Sequence, residues 1–383
     1  MSDTRLRLVV FTSGPLTPVN RILFERIVRD PLLELAAIVV DDYRRRPRAL
    51  PVRVARAIRE DGVDWLRFKA SSIGRSMIET ISILLAGRIH GSRLREDYAA
   101  FTEATGVPVY RVKNIHHPQS IELIRSLKPD LGIIAGGRIL RDSVITVPTH
   151  GTLNVHKRKV PDYRGGGPVG YWEVLAGEAS IGVTIHFAAT VVDSGPVLGE
   201  ATIPIEEFDT LDSLKIKADI RAAQLYHEVL RRFALGQRTG VPQDLQRGTT
   251  YRAPSDYKVW RLQRQLLRRQ TNGMQTDTQR PNALVRLRVL LQYIAVLPLL
   301  LRVRRRFERQ QRAPVAIFFY HLVANRALNH MCLPLGDFVR QIEFLRRHYE
   351  ILSLDQAVTR LRTGANDRVA ASLTFDDGYR DNT

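Results

Sequence analysis

The chain has 383 residues, of which 44% are hydrophobic and 7% aromatic, enough apolar material for a sizeable core and a length that predicts two units rather than one. Its 58 Lys and Arg against 39 Asp and Glu give a formal charge of +19, which favours anionic partners without choosing among nucleic acid, anionic lipid and phosphorylated substrate. The one cysteine, Cys332, excludes an intramolecular disulfide and a cysteine-rich zinc site.

The opening MSDTRLRLVVFTSG has too short an apolar run for a secretory signal and passes straight into a strand over Leu6 to Phe11, so a cytoplasmic protein is expected. Thr12-Ser13-Gly14-Pro15 then makes a loop, Asn20 to Arg29 a helix and Leu35 to Val40 a second strand. That is the rhythm of a parallel α/β sheet. An Arg-rich stretch of helical period, about 43 to 104, reads as an insertion. The α/β rhythm resumes with a strand at Val107 to Val112, a helix from Pro118 to Leu127, and a strand at Leu131 to Ala135 that runs into Gly136-Gly137.

Ligands of open parallel sheets bind beyond the carboxyl ends of strands, so the loop after Ala135 is a candidate site wall. Thr152 to His156 brings a further strand to the same edge, and Ile181 to Ala188 and Val197 to Ile203 flank the turn cluster Asp193-Ser194-Gly195-Pro196. From Thr210 to Leu235, Leu214, Ala218, Ala222, Leu225, Val229 and Phe233 recur at helical spacing, with Gly236 as a stop.

Beyond Lys258 the composition changes to many arginines and few acids, around the apolar island Val289 to Leu301 broken by Pro298. The island is shorter than the ~20 residues that span a bilayer, which predicts a linker helix or an interfacial anchor on anionic lipid. After Pro314 a new α/β unit is expected: strands at Val315 to Tyr320, Tyr349 to Leu352 and Val369 to Phe375, a helix at Asp337 to Arg347, and a capping box at Ser353 and Gln356.

Transfer of an acyl group to an amine develops an oxyanion and releases a proton. Asn154 and His156, two apart on a strand, share one face, where an amide donor and an imidazole meet those needs; a carboxylate at Asp193 can orient the imidazole. The string that carries them, Asn154-x-His156, Val160-Pro161, Tyr163-Arg164-Gly165, Gly182 to His186 and Asp193 to Pro196, closely resembles the formyltransferase family. That family includes methionyl-tRNA, glycinamide ribonucleotide and sugar-nucleotide formyltransferases.

The resemblance covers roughly residues 5 to 255 and implies a Rossmann-like, open, mostly parallel twisted sheet. It implies N10-formyltetrahydrofolate as the donor, Asn154 and His156 on the formyl carbonyl, and Asp193 positioning His156 and a water. It places Arg138, Ile139 and Leu140 against the cofactor, and we expect Ser13, Gly14, Arg164 and Gly165 at the substrate. The family's Pro after the catalytic His is replaced by Lys157-Arg158-Lys159, cations that could meet an anionic substrate or form a solvated loop.

Thr374-Phe375-Asp376-Asp377-Gly378 and Tyr320-His321 resemble the start of the polysaccharide deacetylase family, a distorted (β/α) barrel that uses a divalent metal. The resemblance implies Asp376 as base and Asp377 as a metal ligand, but the family's two downstream histidines do not follow in this sequence. A divalent metal is therefore expected only of a complete domain, and residues 313–383 read as a truncated deacetylase-like segment.

The expected organisation is a catalytic domain over 1–205, its helical extension over 206–257, a basic linker over 258–312 and the deacetylase-like segment. The expected activity is formylation of the amine of an amino sugar or sugar nucleotide in polysaccharide biosynthesis. An aminoacyl-tRNA acceptor, a bifunctional deacetylase and formyltransferase parent, and a basic polyanion- or membrane-binding relic are the alternatives. Nucleic acid ranks below a small-molecule amine as partner.

Overall fold

Alternation along the first strands sets up a sheet that is apolar on both faces. In β1 (Leu6–Thr12) the side chains of Leu6, Leu8 and Val10 join one core cluster, while Val9 and Phe11 join a second cluster on the opposite face. Such strands need helices on both sides, and in this computed structural model they have them. The structure describes residues 5–43, 50–70, 72, 98–271, 283–324 and 332–375.

Two units divide the chain: Met1–Arg53 with Glu96–Gln263, and Val54–Arg95 with Arg264–Thr383. In chain order, β1 is followed by α1 (Pro18–Arg29), β2 (Leu33–Asp41), α2 (Leu50–Asp61), α3 (Tyr98–Thr105), β3 (Val109–Val112) and α4 (Pro118–Ser126). Then come β4 (Leu131–Ile134), α5 (Asp142–Ile145), β5 (Thr152–His156), β6 (Tyr163–Gly165), α6 (Tyr171–Leu175), β7 (Ser180–Phe187), β8 (Val197–Pro204) and α7 (Leu211–Ala234). β9 (Thr249–Tyr251) and α8 (Asp256–Thr271) follow, α8 crossing the border between the units.

Seven strands form the sheet of the first unit in the order β3-β2-β1-β4-β5-β7-β8. The first five run parallel, and β7 and β8 are antiparallel additions. The chain winds outward from β1 through β2 to β3, then returns to the other side of β1 with β4. That reversal leaves a crevice at the carboxyl ends of β1 and β4, which open parallel sheets use for ligands.

The longest helix of this unit, α7, follows its sequence pattern closely. Thr210 caps it by accepting from the Ser213 N–H while the Ser213 hydroxyl accepts from the Thr210 N–H, and Gly236 leaves it at φ +94°. Its Leu214, Ala218, Ala222, Leu225, Val229 and Phe233 are all buried in the first core cluster. From the same face the Tyr226 hydroxyl donates to the Leu153 carbonyl at 2.7 Å, which ties α7 to the strand that carries Asn154.

The stretch 206–257 is not helical throughout. After Ala234 the chain returns to pair β9 in parallel with β6, Tyr163 opposite Thr249 and Gly165 opposite Tyr251. Short, polar and without apolar alternation, β9 carries no strand pattern of its own; backbone pairing and a ring stack hold it. The Tyr163 and Tyr251 rings lie 5.6 Å apart and 16° from parallel, and Trp172 stacks on Tyr251 at 4.7 Å.

In the second unit, α9 (Ala283–Arg309) runs on through Pro298 instead of breaking there. Proline removes one backbone hydrogen bond and crowds the preceding turn, but Pro298 is exposed, where water can satisfy the freed carbonyl. No described helix is long and apolar enough to cross a membrane. Further along, β10 (Val315–Tyr320), β11 (Leu322–Ala324), β12 (Cys332–Pro334), α10 (Leu335–His348), β13 (Glu350–Ile351), α11 (Leu354–Thr363) and β14 (Ala370–Phe375) follow. β10, β14 and β13 make a three-stranded parallel sheet, and β11 pairs with β12. The expected capping box at Ser353 and Gln356 is formed in both directions, at 3.0 and 3.2 Å.

Candidate active site

β5 lies beside β4 and β7, and the register decides what meets there. Asn154 stands opposite Ile134 on one side and His186 on the other, and His156 stands opposite Thr184. Directly opposed residues on antiparallel strands share a face, so a second imidazole is brought beside Asn154. The Asn154 Nδ2 lies 3.3 Å from His186 Nε2 and 3.4 Å from Asp193 Oδ1. His156 Nδ1 lies 3.4 Å from Asp193 Oδ2, and His186 Nε2 is 3.6 Å from Asp193 Oδ1. Asn154, His156 and His186 therefore converge on the Asp193 carboxylate.

The loop between β7 and β8 is built to deliver that carboxylate. Asp193 adopts φ +56°, the left-handed conformation that Asp tolerates better than most residues. Two residues on, a Cβ at Gly195 would stand 1.9 Å from the Phe187 carbonyl oxygen, so only glycine lets the loop pass. Gln243, from the segment after α7, donates to the carbonyls of Asp193 at 3.1 Å and Gly195 at 2.6 Å. The Gly165 N–H donates to Asp193 Oδ2 at 3.0 Å, from a backbone at φ +87° pressed against Tyr251.

Protonation follows from these partners. The Tyr163 carbonyl can only accept, so the His156 Nε2 at 2.9 Å carries a proton and Nδ1 faces Asp193. Burial of the His156 ring lowers its pKa and outweighs the opposing pull of Asp193, which makes neutral imidazole the resting form. Burial works to raise Asp193, but the His186 contact, the His156 ring and the Gly165 N–H together hold its pKa below the usual carboxylate value. The His186 Nδ1 donates to the Phe187 carbonyl at 2.8 Å, which turns its Nε2 toward Asn154 and Asp193. A neutral base thus faces an ionised carboxylate, beside an amide whose N–H groups make only long contacts.

The crevice wall comes from β1 and β4. The Thr12 hydroxyl and the Asn20 amide both donate to the Ala135 carbonyl, at 3.0 and 2.9 Å. They fasten the two strand ends together, where Gly136 and Gly137 turn with positive φ and Ser13 lies against Gly137. Gly14 also turns, at φ +79°, with open space where a side chain would stand.

In the following loop the Arg138 side chain is engaged inward. It meets Asp41 at 2.6 Å, donates to Asn114 and lies 4.2 Å from the centre of the Tyr43 ring. The backbone groups of Arg138, Ile139 and Leu140 make no hydrogen bonds with described residues, and Ile139 is 69% exposed.

Two expectations need correction. Arg164 is a buried scaffold: its guanidinium donates to the carbonyls of Leu245 and Arg247 and to Thr250, holding the returning segment rather than awaiting a substrate. The cationic run Lys157-Arg158-Lys159 is paired internally, Lys157 with Asp219, Arg158 with the carbonyls of Gly166 and Pro168, and Lys159 with Glu178 at 3.6 Å. It is neither a solvated loop nor a vacant anion site.

His186 stands beside Asn154 although the sequence motif that it ends, Gly182 to His186, does not single it out. The two-residue alternation with Thr184 on a strand next to β5 is the signal that could have found it. Asp376, Asp377 and Gly378 lie outside the described residues, as do 73–97 of the Arg-rich insertion. Among the described residues no group of three or more His, Cys, Asp or Glu is placed to hold a metal ion.

Residues 83–230 match the model of the Formyl transferase family. A methionyl-tRNA formyltransferase of Geobacillus sp. (strain WCH70) is 34% identical over 148 residues, 38% of this chain and 46% of the relative. The chain thus spans less than half the length of the curated relatives it matches. Among solved structures, glycinamide ribonucleotide transformylase 1 from Symbiobacterium toebii aligns at 20% identity and TM-score 0.40, over 61% of this chain and 89% of that one. An N-formyltransferase from Helicobacter canadensis, in complex with folinic acid and dTDP-3-aminofucose, aligns at 12% identity and TM-score 0.42, over 64% and 71%. The family match and the curated relative support the formyltransferase family, whose members are enzymes that transfer formyl groups. All four converging residues fall inside the matched stretch.

Proposed function

We propose, with the formyltransferase match as premise, that this chain transfers a formyl group from N10-formyltetrahydrofolate to a primary amine at Asn154, His156 and Asp193. The observation that carries the reading is the convergence of an amide, two imidazoles and an ionised carboxylate at the end of β5. The folate co-substrate would supply an activated formyl group. Its pteridine fits the loop after β4, because the backbone of Ile139 and Leu140 offers unpaired donors and acceptors beside an exposed apolar side chain.

As an amine attacks the formyl carbon, negative charge grows on the carbonyl oxygen. The Asn154 Nδ2 contacts of 3.3 and 3.4 Å are long, and the amide can exchange them for a shorter bond to that oxygen. The proton released by the amine goes to His156 Nδ1, directly or through one water, and passes from there to the nitrogen that leaves as its bond to the formyl carbon breaks, giving a formamide and tetrahydrofolate. Asp193, already ionised, stabilises the imidazolium that results. His186 holds the Asn154 amide in position from the neighbouring strand.

The acceptor proposed is the amine of an amino sugar or sugar nucleotide. Support comes from the deacetylase-like sequence of 313–383, since deacetylation exposes an amine that formylation caps. An aminoacyl-tRNA is the second reading, favoured by the curated relatives, which are methionyl-tRNA formyltransferases. Incubation of the full chain with formyltetrahydrofolate and a panel of amino sugars, amino sugar nucleotides and aminoacyl-tRNA, read by mass for one added formyl group, tests both. Product confined to tRNA would remove the sugar reading, and no product on any amine would remove formyl transfer itself.

A further inference from the structure

We propose that α9 lies along the headgroup layer of an anionic membrane as an in-plane anchor. At about 100° per residue, Val296, Leu299, Leu300, Val303 and Phe307 fall in one arc of roughly 100°. All five are exposed, Leu299 at 60% and Phe307 at 42%. Arg302, Arg305, Arg306 and Arg309 fall in the adjoining arc, also roughly 100° wide.

These four arginines are exposed and form no ion pair with a described residue. On the remaining side stand the buried Leu297 and the Arg304–Glu308 pair at 2.5 Å. The acid in this turn is therefore directed away from the basic arc. Pro298, Leu301, Arg302, Arg305, Arg306 and Arg309 line an open groove with a volume of about 550 Å³.

An apolar stripe joined along its length by a cationic stripe matches the boundary where acyl chains meet anionic headgroups. A bare polyanion would engage the arginines and leave the apolar arc in water. A membrane-spanning role is a poor fit, because the helix is not long and apolar enough. The inference rests on α9 alone and stands apart from formyl transfer.

Flotation of the full chain with vesicles of phosphatidylcholine, alone or mixed with phosphatidylglycerol, tests it. The wild-type chain is expected to float with the mixed vesicles and to stay in solution with phosphatidylcholine alone. Leu299→Asp with Phe307→Asp should weaken flotation about tenfold or more, and Arg302→Gln with Arg306→Gln should weaken it and flatten its salt dependence. Far-ultraviolet dichroism checks that both variants keep their helix content, and the Gln variant changes only exposed side chains.

A wild-type chain that ignores mixed vesicles would overturn the proposal. So would undiminished flotation of the Asp variant, or displacement of the wild type by RNA at equal phosphate, either of which would make the helix a polyanion binder.

Discussion

The sheets of the two units treat their apolar faces differently. In the first, side chains on successive positions of β1 and β2 enter two separate cores, and Phe24 packs edge-on against Phe101 at 6.1 Å in one of them. In the second, Leu352, Ala357 and Ala370 gather with Val315 at one end of the sheet. Further along the same strand Ile317 and Phe319 are exposed, Phe319 at 65%. A sheet covered on both sides can hold four polar groups to a few tenths of an ångström at a strand end; one with an open flank has less to hold them with.

Deleting a deep ring is the harshest way to break the first unit. Phe24→Ala is expected to destabilise it by about 3–5 kcal/mol, seen as an earlier denaturant midpoint. The site gives the next effect. Asn154→Ala should lower kcat/KM for the proposed formyl transfer by about 10²–10³-fold with an unchanged midpoint, because it removes a donor and leaves the core intact.

The pH profile sharpens the comparison further. Because the His156 pKa is lowered, neutral imidazole persists below the ordinary histidine value of about 6.5, and kcat/KM should hold at pH 6.5 and fall only at lower pH. Stability should share that sign. The unfolded chain takes up the proton first, so the His156 contribution is full above about pH 6.5 and is lost as pH falls through the lowered folded value. An Asp193→Asn variant, deprived of the charge that supports the imidazolium, should move the acid limb lower still while reducing rate.

The smallest effect belongs to the second unit. Ser353→Ala removes the cap of α11 and should cost about 1 kcal/mol of local stability, seen as faster amide exchange over Leu354–Thr363 and no change in formyl transfer. Lost transfer in that variant would show that the units are coupled.

Much of the fold was legible because it rests on local pattern. The β1 to β5 strands, the α7 stripe from Leu214 to Phe233 and the Ser353 cap are all matters of period and terminal chemistry, which neighbours in sequence determine. Asn154, His156 and Asp193 were legible through their order within a longer motif. Less visible were His186, set beside Asn154 by antiparallel pairing of β5 with β7, and Gln243, which reaches the Asp193 loop across 50 residues of chain. Arg164 and the cations at 157–159 misled because a charged side chain looks the same in sequence whether it faces solvent or a buried carbonyl.

By itself, the sequence determined the strand and helix periods, the positive charge, the basic and apolar stripes of α9 and the residue types able to carry acyl-transfer chemistry. Tertiary structure decided which of those residues meet. Strand order and register bring Asn154 opposite His186, and the glycine-dependent loop carries Asp193 to both imidazoles. Burial then keeps His156 neutral, while the partners of Asp193 hold it ionised against the same burial. Those outcomes depend on contacts between distant segments and on exclusion of water, and neither is encoded in any local window of the chain.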